Sequence, residues 1–174
     1  MARSLLHFLR PAPADPLKPL REDLALGRSV ASVVEALRTH ARTLTAADGI
    51  TLIERRGDEV HYLTEDAISP LWTGQSFPLR MCVSGMAMVA RAPIVIPDVS
   101  EDKRVPLNLY LATFIRSMVM VPIGHGEPLI AMGVYWREPA PIAAATISTL
   151  TRVAELAADA LDRIGDPPPS RQAA

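Results

Sequence analysis

A single cysteine, Cys82, stands in a chain of 174 residues. That scarcity excludes a disulfide within the chain and any zinc or iron–sulfur centre built from several thiolates. Charge of one sign is not in excess either. Lysine and arginine total 18 against 19 acidic residues, for a formal net charge of -1. A grip on nucleic acid draws on a basic surplus, so that class of partner is set aside. No uncharged apolar run approaches the ~20 residues needed to span a bilayer, so no membrane role is expected. Metal-ligand spacing is missing too: His7, His40, His61 and His125 stand apart from one another, from Cys82 and from paired carboxylates. No glycine-rich phosphate cradle and no Gly-x-Ser-x-Gly elbow occurs.

What is present suits a folded body. The chain is 49% hydrophobic and 21% charged, enough to bury a core. Its length fits one domain at ~100–200 residues per domain. The start, Arg3-Ser4-Leu5-Leu6-His7-Phe8-Leu9-Arg10, has too short an apolar stretch for a secretion signal, and Pro11 and Pro13 follow. Residues 1–14 are read as a flexible arm that docks on a partner through Leu5, Leu6, Phe8 and Leu9, or else hangs free. Residues 166–174, with Pro167-Pro168-Pro169, are read as a disordered tail. Residues 15–165 form the expected single domain, in a cytoplasmic protein.

Periodicity predicts one long helix from about Pro19 to Leu44, with Leu20, Leu24, Val30, Val33, Leu37 and Leu44 along one side and a skip near Gly27. Ile50–Arg55 and Glu59–Leu63 flank Arg56-Gly57-Asp58 and predict a hairpin. Gln75–Leu79 reads as an edge strand, because Pro78 lacks an N–H. Ser84 is expected to cap a short helix over Gly85–Arg91. Pro93–Pro97 brackets a buried strand, and Asp98–Ala112 suits short helical turns. Arg116–Ile123 and Leu129–Trp136 predict a second hairpin. A last helix is expected over Ile142–Ile164. Hairpins outnumber crossovers, so the sheet should be antiparallel with helices covering it, an α+β fold.

Three stretches carry a family resemblance. They are Cys82-Val83-Ser84-Gly85-Met86-Ala87-Met88, Pro93-Ile94-Val95-Ile96-Pro97-Asp98-Val99 with Asp102-Lys103-Arg104, and Ile115-Arg116-Ser117-Met118 running to Val121-Pro122-Ile123. Together they resemble a GAF domain, most of all the sensory GAF domains ahead of bacterial histidine kinases, here freestanding. The resemblance covers residues 20–164. It implies a PAS-related, six-stranded antiparallel sheet, with long N- and C-terminal helices on one face. Short helices and loops on the other face would form the ligand pocket. The last helix departs from the family by opening on Ala143-Ala144-Ala145-Thr146 in place of acids.

The chemistries known in that family can be weighed one by one. The Asn-Lys-x-Phe-Asp-Glu signature of cyclic-nucleotide binders is absent, and Asn108 stands alone. The cysteine–histidine pair of bilin binders is absent past Arg104, where Tyr110-Leu111 occurs. Free methionine sulfoxide reductases of this fold rely on several cysteines, and one thiol cannot complete that cycle unaided. Cys82 reads either as a one-thiol redox sensor near a helix start or as a small buried hydrophobe. Asp98, Glu101 and Asp102 read either as a cation-binding loop or as local caps, with Asp102 pairing Arg104. No cofactor is expected.

The expected function is therefore a non-catalytic sensory or regulatory module of bacterial signal transduction. Its partners would be a small-molecule ligand, a second copy of the chain, and a separate histidine kinase or other signalling protein. The alternatives are a ligand-free dimerisation or interaction scaffold and a Cys82 redox sensor. Candidate pocket residues are Trp72, Phe77, Cys82, Met86, Met88, Asp98, Arg104, Tyr110, Phe114, Arg116, Met118 and Met120. Met81 and Met132 join the methionines that could line it, and Asn108 the polar groups that could orient a ligand. The long first helix would overhang the sheet, so Leu20, Leu24, Val30, Leu37, Leu150, Ala157 and Leu161 are the candidate surface for pairing two chains.

Overall fold

The computed structural model describes residues 14–165. The expectations for residues 1–13 and for the tail 166–174 lie outside the described residues.

The first helical stretch is two helices, not one. α1 spans Lys18–Leu26, with Pro19 tolerated in its first turn and the Asp15 carboxylate accepting the Leu17 N–H at 3.0 Å. Gly27 then turns extended, with φ -60° and ψ 134°. Ser29 starts α2, Val30–Thr45, through a reciprocal cap in which its hydroxyl accepts the Ser32 N–H at 3.2 Å and the Ser32 hydroxyl accepts the Ser29 N–H at 3.0 Å. The skip near Gly27 marks a chain reversal. It lets α1 fold back on α2, with His40 meeting Asp23 at 2.7 Å.

That reversal corrects the expected pairing surface. Leu20, Leu24, Leu37, Leu150 and Ala157 are at most 3% exposed within their own chain, so they cannot meet a second one. Val30 remains exposed and Leu161 half-buried. The outer side of the helical layer is polar, with Arg38 paired to Glu35 and Arg152 to Glu155.

β1, Gly49–Arg56, and β2, Glu59–Ala67, form the first hairpin around Gly57, whose φ of +64° suits a tight turn. β3, Ser76–Pro78, lies on the outer edge of β2. A 3-10 turn at Leu79–Met81 leads into α3, Val83–Ala90. Cys82 occupies the N-cap position of α3, and Ser84 is buried inside the helix, contrary to the expectation that Ser84 starts it. β4 is Ile94–Ile96, and α4 is a single turn, Leu107–Tyr110. β5, Ser117–Ile123, and β6, Ile130–Trp136, form the second hairpin, and α5 closes the domain over Ala144–Gly165.

The six strands run in the order β3-β2-β1-β6-β5-β4, every neighbouring pair antiparallel. The sheet divides two cores. Beneath it α1, α2 and α5 pack on Ile50, Leu52, Val119, Val121, Met132 and Val134. Above it α3, α4 and the loops pack on Ile53, Tyr62, Met118, Met120, Ala131 and Tyr135. Strand alternation thus settles the methionines: Met118 and Met120 face the roof, and Met132 faces the helices.

Candidate functional site

The roof compartment gathers most of the expected pocket residues. Trp72, Cys82, Met88, Tyr110, Met118 and Met120 are buried in one cluster, and Phe77, Met86 and Phe114 pack against it half-buried. The compartment is filled by the chain's own rings. Trp72 stands edge-on to Tyr110 at 5.1 Å, to Tyr62 at 5.3 Å and to Tyr135 at 6.2 Å between centroids, and Tyr62 meets Phe77 at 5.6 Å. Such edge-to-face pairs add about 0.5–1.5 kcal/mol each beyond the area they bury.

Tyr62 and Tyr135 were not legible as site residues by residue type. Register counting would have found Tyr135, since Met118 lies directly opposite it across the second hairpin and so shares its face. The Tyr135 ring folds back over Gly133, where a Cβ would collide with its hydroxyl. That hydroxyl meets Thr51 Oγ1 at 2.7 Å. Burial pushes the Tyr62, Tyr110 and Tyr135 phenols above their ordinary range, so all three stand as neutral hydroxyls at physiological pH.

Glu65 is the residue that sequence reading missed altogether. A bulge at Leu52/Ile53 shifts the β1–β2 register, and Glu65 pairs with Thr51. Its carboxylate accepts the N–H groups of Leu71, Trp72 and Thr73 at 2.8, 3.1 and 3.0 Å, and the Thr73 hydroxyl at 2.8 Å. One side chain therefore fixes the loop that delivers Trp72.

The charged candidates lie outside the compartment. Arg104 and Arg116 are exposed. Arg104 forks onto Asp102, at 2.9 and 2.5 Å, and donates to the Val95 carbonyl at 3.2 Å. Arg116 donates to the Thr113 and Ile115 carbonyls at 3.0 and 2.8 Å. Asp98 accepts the Ser100 hydroxyl and N–H, at 2.7 and 2.8 Å, and those bonds hold its carboxyl below the usual range. The Arg104 guanidinium does the same for Asp102. Asn108 and Met81 are exposed as well.

Cys82 is 2% exposed. Its sulfur lies 3.5 and 3.7 Å from the Pro78 and Leu79 carbonyl oxygens, acceptors for an S–H, and it accepts the Ser84 hydroxyl at 3.3 Å. Access, which a thiol sensor requires, is lacking here. Among the described residues no charged side chain is fully buried, and no group of three or more His, Cys, Asp or Glu is placed to hold a metal ion. Apolar walls with a few neutral hydroxyls are the chemistry of recognition.

The model of the GAF domain matches residues 27–162. The chain belongs to the GAF domain family. No curated protein matches it. Among solved structures, this GAF domain is similar to the one from Acinetobacter phosphoenolpyruvate-protein phosphotransferase, at 13% identity and TM-score 0.73, covering 87% of this chain and 93% of that one. It is similar to residues 122 to 287 of a methyl-accepting chemotaxis protein, at 19% identity and TM-score 0.68, covering 84% and 96%. It is also similar to free methionine-R-sulfoxide reductase from Neisseria meningitidis, solved in complex with its substrate, at 15% identity and TM-score 0.72, covering 92% and 98%. At such identities the likeness is one of fold. No helix among the described residues is long and apolar enough to cross a membrane.

Proposed function

We propose that this GAF domain is a non-catalytic regulatory module of bacterial signal transduction, acting in the cytoplasm. A small uncharged ligand would bind in the roof compartment by displacing Trp72. The helices beneath the sheet would pass the change to a separate signalling protein such as a histidine kinase. One observation carries this reading. β5 and β6 line both cores, so Met118, Met120 and Tyr135 above the sheet alternate with Val119, Val121 and Val134 below it. A ligand that moves the former strains the latter, because packed cores deform in discrete steps. The ligand must also favour one of two packings, since equal affinity for both shifts nothing.

Native mass spectrometry of the full chain, paired with amide exchange across α2 and α5, tests the proposal. The expected result is a bound small molecule whose removal changes exchange in those helices. A chain with no bound mass, and helices indifferent to every compound that stabilises it, would overturn it. The filled compartment favours a second reading, a ligand-free scaffold that pairs with another copy or another protein. Light scattering that returns a monomer mass at micromolar concentration counts against the self-pairing form of that reading.

A further inference from the structure

Between β2 and β3 runs Ile68–Gln75, a segment with neither helix nor strand. Trp72 alone in it is buried, Leu71 is half-buried, and the remaining six residues are exposed. The segment thus lies on the surface and sends one ring inward. Backbone bonds fix its two ends. The Ile68 N–H donates to the Asp48 carbonyl at 3.0 Å, and the Gly74 N–H donates to the Tyr62 carbonyl at 2.8 Å. Between those ends, among the described residues, every N–H that finds a partner finds the Glu65 carboxylate: those of Leu71, Trp72 and Thr73. Pro70 has no N–H to offer. The middle of the segment is therefore held by one side chain from outside and one ring from within. Gly74 has a φ of +85°, and a Cβ there would meet nothing within 4 Å, so the turn has room to move.

Behind the Trp72 ring stand Tyr62, Tyr110 and Tyr135. Cys82 is near enough for its charge to act on all three phenols, and Glu65 near enough to act on Tyr135. The carboxylate therefore sits at the rim of the compartment, and the chain's one thiol sits inside it. The bonds to Glu65 share one acceptor, so they form and break as a set. Their release leaves no buried polar group without a partner. Glu65 is half-buried and Thr73 exposed, so the carboxylate and the freed N–H groups meet water once the segment lifts. The strands below have no such freedom, because each backbone bond they lost would leave a donor and an acceptor inside the core.

We infer that Ile68–Gln75 is a lid, latched by Glu65 and hinged at Ser69-Pro70 and at Gly74, whose opening withdraws Trp72 and uncovers the tyrosines and Cys82 behind it. The inference rests on the reading that a ligand enters this compartment, and it supplies the entrance. Two probes on the full chain test it with no ligand present. Amide exchange at Leu71, Trp72 and Thr73 follows the latch. Labelling by methyl methanethiosulfonate follows Cys82, the chain's one thiol. In the natural chain both rates should rise with urea less than about half as steeply as global unfolding does, because lid opening exposes far less surface. Glu65→Gln replaces one accepting oxygen with an NH2 group and should speed both rates by about tenfold. Glu59→Gln, at an exposed position of the same strand, should leave both unchanged. Cys82 labelling that carries the full urea dependence of global unfolding overturns the inference, even where Leu71–Thr73 open locally, since the loop then frays without uncovering the compartment. Rates in Glu65→Gln that rise only as far as global stability falls overturn the latch. A lid that opens in a chain that binds no compound fails the ligand reading and leaves the lid standing. A compound bound behind a segment that never opens does the reverse.

Discussion

Glu65 holds a loop that has little regular structure of its own, and four hydrogen bonds to a single carboxylate are unusual leverage for one residue. Bonds to a charged group contribute about 1.5–3 kcal/mol each in favourable cases, but they share one acceptor and are not additive. Glu65→Ala should therefore cost about 2–3 kcal/mol in urea unfolding. Exchange at Leu71–Thr73 should rise more than elsewhere, and a uniform rise would refute the positioning role. His125 offers a pH test. Its ring meets Asp159 at 2.8 Å, with Asp162 and Glu155 near on the same helix, and these carboxylates raise its pKa. The charged pair thus contributes in full below the ordinary histidine value, about 6.5, and is lost as pH climbs through the raised one. An NMR titration should give a midpoint above that ordinary value, and Asp159→Asn should lower it. A midpoint unmoved by that change would deny the pairing. Neither role is legible in the sequence. Glu65 acts across a bulge that shifts register, and His125 sits between two glycines in a turn that only the folded chain brings to α5.

At the scale of elements, strands are more legible in this sequence than helix starts. Both hairpins, the edge strand at Pro78 and the last helix were legible, because alternation and turn residues are local signals. The first helix was not, because apolar spacing runs straight through Gly27 and Ser29 and hides a reversal. What decides the break is capping chemistry: Ser29 and Ser32 cap each other with short hydroxyls, where the usual reciprocal partner is Glu or Gln. Ser29→Ala should cost about 1 kcal/mol. Its effect should appear as faster exchange in the first turn of α2, with α5 unchanged. If stability holds and α1 and α2 merge into one continuous helix, the cap is not what separates them. The same logic explains α3. Cys82 caps it by position, its sulfur accepting no N–H of the first helical turn, and Gly85 lets it press on the preceding turn, where any Cβ would run into the Leu79 carbonyl.

For the whole molecule, the sheet is the shared wall between a compartment that holds the rings and a helical layer that faces outward. The division was legible as two faces of β5. Which face met the helices was not, because Met, Val and Ile suit either side. Trp72 stands edge-on to Tyr62, Tyr110 and Tyr135 in that compartment. Trp72→Ala removes a buried ring and should cost about 3–5 kcal/mol, a large part of a typical domain's stability of about 5–15 kcal/mol. If the compartment can accept a ligand, indole should refill the vacancy. At ten times its dissociation constant it would restore about 1.4 kcal/mol, raising the melting temperature of Trp72→Ala by about 3–6 °C and leaving the natural protein unmoved. The refilled variant should also regain natural exchange rates in α2 and α5, because the strands that line the cavity also line the helical core. Trp72→Phe, which keeps a ring and folds more readily, gives the intermediate case. A cavity that takes indole while the helices stay indifferent would separate binding from relay, and the helices would then be a support with no part in transmission.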